Sequence, residues 1–300
     1  MQGGLHGHLG FIESDSNPPC EQLPPATDRL VGGAATRISD LAPPGIGGLR
    51  QVFIQRMRSL ALSLLVLLPM ASATGAGEVS TRLAVEGNAR QEYFLIDHSE
   101  GRVPEDGYKL LLVLPGGDGS ANFYPFVTNI GKHAVGPDYL VAQLIAVKWT
   151  PEQRVVWPTK ATMVKKAHFT TEEFLRAVIF EIQESHQVNP EHLYTLSWSS
   201  GGPAAYAASL DVDEVKGSFI AMSVFKPEQL PRLSKAKGHR YYIYHSPEDK
   251  VCPIHMAKEA QSLLSRERAE VKVATYEGGH GWHGNIFGTL RTGIAWLERR

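Results

Sequence analysis

The sequence predicts an α/β fold: a largely parallel sheet with helices on both faces, opened by an antiparallel hairpin. Three observations predict it. Apolar runs of strand length alternate with helical stretches from about Thr81 to the C-terminus. Two of these runs, Tyr108–Gly117 and Tyr139–Val147, are continuously apolar, as in strands buried on both faces. No internal repeat or interdomain linker breaks the alternation, so residues 78–300 read as one domain.

Each element has its own justification. "TRLAVEG" and "RQEYFLIDH" are short strands joined around Gly87-Asn88, a hairpin signal. "YKLLLVLPGG" is the first buried strand. "ANFYPFVTNIGKHA" reads as a helix weakened by Pro125, and "YLVAQLIAV" as the second buried strand. A polar loop, Lys148 to Phe169, carries Trp149 and Trp157. "TTEEFLRAVIFEIQESH" is an amphipathic helix. Thr170 and Glu173 make a capping box, and Phe174, Ala177, Val178 and Ile182 keep the helical period, with Glu181 its one acidic member. Strand and helix then alternate: "HLYTLSW", "AAYAASL", "VKGSFIAMS", "HRYYIYHS", "IHMAKEAQSLLSRER", "EVKVATYEGG" and "NIFGTLRTGIAWLERR".

The N-terminal part reads differently. Residues 1–56 are rich in Gly and Pro and show no sustained period. From Met57 the chain has the form of a secretory signal: Met57-Arg58, an apolar run from Leu60 to Met70, and Ala71-Ser72-Ala73 as a small-x-small cleavage site. The run is shorter than the ~20 residues that span a bilayer. Translation from Met57, cleavage after Ala73 and a secreted or periplasmic product are the expectations. The product would then keep Cys252 and lose Cys20, leaving no internal disulfide.

The 300 residues are 43% hydrophobic with a formal net charge of −1, an ordinary globular balance. Lysines and arginines are scattered, which argues against a nucleic-acid partner, and no Cys/His metal spacing occurs. Neither G-x-x-x-x-G-K-[ST] nor G-x-G-x-x-G is found, so a nucleotide site is not indicated.

The chemistry concentrates where strands end. "YTLSWSSGGPAAYAASL" passes from strand to helix through three serines and two glycines. A serine on such a sharp turn exposes its Oγ above the sheet, but only with small residues two before and two after it. Ser199 meets this with Ser197 and Gly201; Ser200 does not, because Trp198 would clash. Pro203 suits a first helical turn, and the alanines that follow let the helix lie close to the sheet.

A serine nucleophile needs a base and a group that orients the base. Both should follow it in chain order, on loops after later strands. Asp249 follows "HRYYIYHS", with Glu248 as its rival; Val251 and Pro253 favour Asp249 by anchoring the loop's return. His280 follows "EVKVATYEGG", with His283 as its rival, three residues further out. His168, His186, His192 and His245 read as surface or packing residues. An oxyanion hole needs backbone N–H donors. Ser200 supplies one, and the Gly-rich "LPGGDGSANF" the other, at Gly117 or at Asp118.

With "LPGGDGS", "SWSSGG", "HSPEDKV" and "EGGHGW" in this order, residues 81–300 resemble the α/β-hydrolase superfamily. They look closest to its secreted esterase branch, with polyhydroxybutyrate-depolymerase-like and feruloyl-esterase-like proteins, and to predicted esterases or peptidases of prolyl-oligopeptidase type. The resemblance implies an eight-stranded, mostly parallel sheet and a Ser199–His280–Asp249 triad. The chain departs from it in having Ser197 where the motif's first glycine stands. Many secreted relatives also carry disulfides, which the exported part here cannot form within itself.

The implied reaction is hydrolysis of a small-molecule or polymeric ester, which calls for no cofactor or metal. After signal cleavage no stable membrane association is expected. Asp118, Trp149, Trp157, Trp198 and Trp282 are the candidate substrate-binding residues: the tryptophans either stack on a sugar or phenolic ring or merely cover the sheet edge. A peptidase is the nearest alternative, and a non-catalytic binding protein on the same scaffold a more distant one.

Overall fold

The computed structural model describes residues 79–299. The extension 1–56, the signal segment 57–73 and Cys20 lie outside the described residues. Eight strands form one sheet in the order β1-β2-β4-β3-β5-β6-β7-β8. They are β1 (Val79–Ala84), β2 (Glu92–Asp97), β3 (Tyr108–Leu114), β4 (Tyr139–Leu144), β5 (Val188–Trp198), β6 (Gly217–Ala221), β7 (Arg240–His245) and β8 (Glu270–Thr275). β1 pairs antiparallel with β2, and β2 antiparallel with β4. Every pairing from β4 to β8 is parallel.

Among the described residues five α-helices cover the sheet: α1 (Tyr124–Ile130), α2 (Thr171–Ser185), α3 (Gly202–Asp211), α4 (Ile254–Arg266) and α5 (Ile286–Leu297). β3 shows why a continuously apolar strand is needed between them. Leu110, Leu112 and Leu114 pack in the cluster that holds Phe174 and Val178 of α2 and Ala204 and Ala208 of α3. Leu111 and Val113 point the other way, into the cluster with Val127 of α1 and Leu290 and Ile294 of α5. α4 joins the α2 and α3 side through Ala257, Ala260 and Leu264, against Tyr241 and Ile243 of β7.

Two sequence expectations are corrected. Pro125 does not weaken α1, because it lies in the first turn, where a missing N–H costs nothing. What interrupts the stretch is its ends: a 3-10 turn at Ala121–Phe123 and a π-helical turn at Gly131–Val135. β5 begins before His192. Val188 already pairs with Tyr108, but Leu110 next meets Leu193, and the irregularity takes up Pro190, which lacks a ladder N–H. The capping box of α2 forms as the sequence suggests: Glu173 N–H donates to Thr170 Oγ1 at 3.2 Å, and Thr170 N–H to Glu173 Oε2 at 2.8 Å. Among the described residues no helix is long and apolar enough to cross a membrane.

Candidate active site

The site lies at the carboxyl ends of β3, β5, β6, β7 and β8, where a parallel sheet leaves room for a ligand. It is built around the end of β5. The strand stops at Trp198, and Ser199 adopts φ +48°, the left-handed region that a residue with a Cβ rarely enters. A 3-10 turn, Ser199–Gly201, leads straight into α3. The turn can be this sharp because its neighbours are small. A Cβ on Gly201 would sit 2.3 Å from the Leu114 carbonyl oxygen, and one on Gly202 would sit 1.9 Å from Ser223 Oγ. Ser197 is fully buried beneath.

Ser199 Oγ lies 3.0 Å from His280 Nε2, and His280 Nδ1 lies 2.8 Å from Asp249 Oδ2. An ionised carboxylate only accepts, so Nδ1 carries the proton and Nε2 is left to accept from the serine hydroxyl. The Asp249 side chain is fully buried, and its other oxygen, Oδ1, accepts the N–H groups of Val251 and Cys252, each at 2.8 Å. The carboxylate is therefore fixed from both ends. Its charge reaches Tyr276: burial, and then Asp249, push that hydroxyl well above its ordinary range, so it stays protonated. Of the rivals, Glu248 Oε2 accepts from Gly278 N–H at 3.1 Å, and the exposed His283 packs beside Tyr276.

Several residues that frame this relay carry no motif. Ser223, just past β6, donates its hydroxyl to the Ser199 carbonyl at 2.7 Å. Ser246, just past β7, accepts from Glu248 N–H at 3.1 Å and Gly279 N–H at 3.2 Å, joining the acid loop to the histidine loop. His245, read as a surface or packing residue, is of the packed kind. It is fully buried behind Asp249, donates from Nε2 to the Cys252 carbonyl at 2.6 Å, and lies 3.7 Å from Asp249 Oδ2. Standing at the carboxyl end of a parallel strand was the one signal that pointed to these three.

A hydrogen bond ties the β3 loop to the turn: Ser200 Oγ donates to the Gly117 carbonyl at 2.8 Å. Gly117 is exposed at φ +59°, a conformation suited to glycine. Asp118 is also exposed, and its carboxylate accepts Ser120 N–H at 3.0 Å, a local turn.

The tryptophans separate by burial. Trp149 is 9% exposed, packed on Phe169 and His168 with Arg90 over its ring. Trp198 is 5% exposed and packs against Phe123, Phe126 and Trp282. Both rings are taken up by the core, so neither offers a stacking face. Trp157 is buried too, its Nε1 donating to the Pro115 carbonyl at 2.9 Å, but its ring lines a cavity shared with Ser200. Trp282 is half-buried beside Tyr244. Asp249, Cys252 and His280 also bring three metal-type ligand atoms within 4.8 Å of one another. Two of the three, Asp249 and His280, are hydrogen-bonded to each other at 2.8 Å.

No protein-family model matches the chain, and no curated protein matches it. Solved structures do. An esterase from Rhizomucor miehei aligns at TM-score 0.57 and 14% identity, covering 74% of this chain and 83% of its own. A carboxylesterase from Mesorhizobium loti aligns at TM-score 0.54 and 17% identity, covering 71% and 98%. An alpha/beta hydrolase from a Medee basin deep-sea metagenome library aligns at TM-score 0.51 and 12% identity, covering 69% and 85%. Together with the sheet order, these likenesses show that the chain has the α/β-hydrolase fold.

Proposed function

We propose that the chain is a serine hydrolase of carboxylic esters. The observation that carries this reading is the continuous relay from Ser199 through His280 to buried Asp249, at 3.0 and 2.8 Å, on a serine held at φ +48°. Ser199 Oγ attacks the ester carbonyl as His280 Nε2 takes its proton. The backbone N–H groups of Ser200 and Gly117 receive the oxyanion. The tetrahedral intermediate collapses to an acyl-serine, and His280 returns the proton to the leaving alcohol. Water, deprotonated by His280, then releases the acid. Asp249 holds the histidine's tautomer and balances its positive charge. A binding protein on this scaffold would gain nothing from a strained serine aligned with a base.

The test is hydrolysis of p-nitrophenyl acetate, butyrate and octanoate by the chain beside Ser199→Ala. Turnover that drops by about 10⁴-fold or more in the variant is expected; equal rates would remove Ser199 from the mechanism. The segment 57–73 supports export in the same reading, and a secreted form beginning at residue 74 by N-terminal sequencing is the expected product.

A further inference from the structure

We propose that the acyl pocket of this site is built for a carboxylate-bearing ester; the proposal rests on the hydrolase reading and names its substrate class. A cavity of about 160 Å³ opens beside the nucleophile turn, bordered by Ser200 and by Pro203 in the first turn of α3. Its apolar lining includes Trp157 and Leu230, and among the described residues its charged lining is Arg154 and Lys226. Among the described residues no carboxylate lines it. The nearest acids in sequence, Glu152 and Glu228, are exposed and lie outside the lining. Among the described residues, neither cation takes part in a salt bridge; Lys226 is half-buried and Arg154 is exposed. Cations brought to an apolar cleft without an acid to balance them favour an anionic guest.

The geometry also says which half of the ester enters. His280 must protonate the leaving oxygen, so the alcohol departs on the histidine's side. Of the residues around the relay, Ser200 alone lines the cavity among the described residues, while Ser199, Asp249, His280 and Trp282 do not; the acyl chain is therefore assigned to it and the alcohol to the histidine's side. The substrate so described has a short apolar acyl chain ending in a carboxylate. The chain lies along Trp157 and Leu230, and the carboxylate reaches Lys226 and Arg154.

The test compares p-nitrophenyl hydrogen adipate with p-nitrophenyl hexanoate on the full chain, on Lys226→Gln, on Arg154→Gln and on Lys226→Arg. Wild type is expected to favour the adipate by roughly tenfold in kcat/KM, a preference that shrinks as salt is added. In Lys226→Gln and Arg154→Gln the ratio of the two rates falls toward one, and Lys226→Arg keeps it. A wild type that favours the hexanoate, or Gln variants with an unchanged ratio, overturns the anion pocket. Hexanoate turnover that Ser199→Ala abolishes would then leave the hydrolase reading standing. No turnover of either ester, with no fluorophosphonate adduct on Ser199, sinks that reading and this proposal together.

Discussion

Ser199 holds its strained backbone because everything around it is fitted. Gly201 lies against the Leu114 carbonyl, and the carbonyl of Ser199 itself accepts from Ser223. Gly201→Ala would press a methyl into main-chain oxygen of the central strand. We expect a loss of about 3 kcal/mol in stability, read from denaturant unfolding. Ser223→Ala removes only the brace. It should cost about 1 kcal/mol of stability and lower kcat about tenfold with little change in KM, since the nucleophile is mis-set rather than missing; unchanged kcat would show that the brace is not needed. Ser199, Asp249 and His280 were legible in the sequence because each carries a reactive group just beyond a recognisable strand. Ser223, Ser246 and His245 stand in equivalent places. A lone serine or histidine there has no spacing partner, and its role is fixed only by which carbonyl or N–H the fold brings opposite. Trp149 and Trp198 show the converse: they look adhesive as residue types, and only packing reveals that their faces are already used, the covering role the sequence also allowed.

At the scale of elements, Asp211 ties four segments together. It ends α3 and meets Lys160 of the Trp157 loop at 2.8 Å, Arg176 of α2 at 2.5 Å, and Lys235 before β7 at 3.7 Å. Burial raises its carboxyl pKa, but hydrogen bonds and charge from Lys160 and Arg176 outweigh that and hold it below the ordinary value. A depressed folded pKa contributes stability above the unfolded value, about 3.9, which is lost as pH falls through the folded one. The Tm should therefore fall off below about pH 4, and less steeply in Asp211→Asn, which loses about 1 kcal/mol at neutral pH, discounted for its exposed lysine partners. Glu172 at the start of α2 has the opposite sign. Burial raises its pKa, so the folded state favours its protonated form and that benefit is lost as pH rises through the folded value. Glu172→Gln should raise the Tm at neutral pH, and a lowered Tm would contradict this. The boundaries of α2 were legible from its capping box, a local signal. Those of α1 and β5 were not, because a π-helical turn and a strand irregularity are settled by neighbouring chain rather than by their own residues.

For the whole molecule, the alternation of strands and helices was enough to read a parallel sheet covered on both faces, and with it the face on which a site must lie. The exchange that puts β4 between β2 and β3 was not legible, since it depends on pairing between distant segments. It places β3 and β5 side by side at the centre, so that the Gly117 loop and the Ser199 turn share one edge and meet through Ser200. The later strands then deliver Ser223, Asp249 and His280 in turn. The central claim is that this convergence makes Ser199 a nucleophile. The most direct measurement is the site of fluorophosphonate modification, mapped by peptide mass spectrometry on the folded chain and on His280→Ala. The account predicts an adduct on Ser199 in the parent chain that is lost, or slowed by about 10³-fold or more, without the histidine. An unlabelled Ser199, or labelling indifferent to His280, would contradict it.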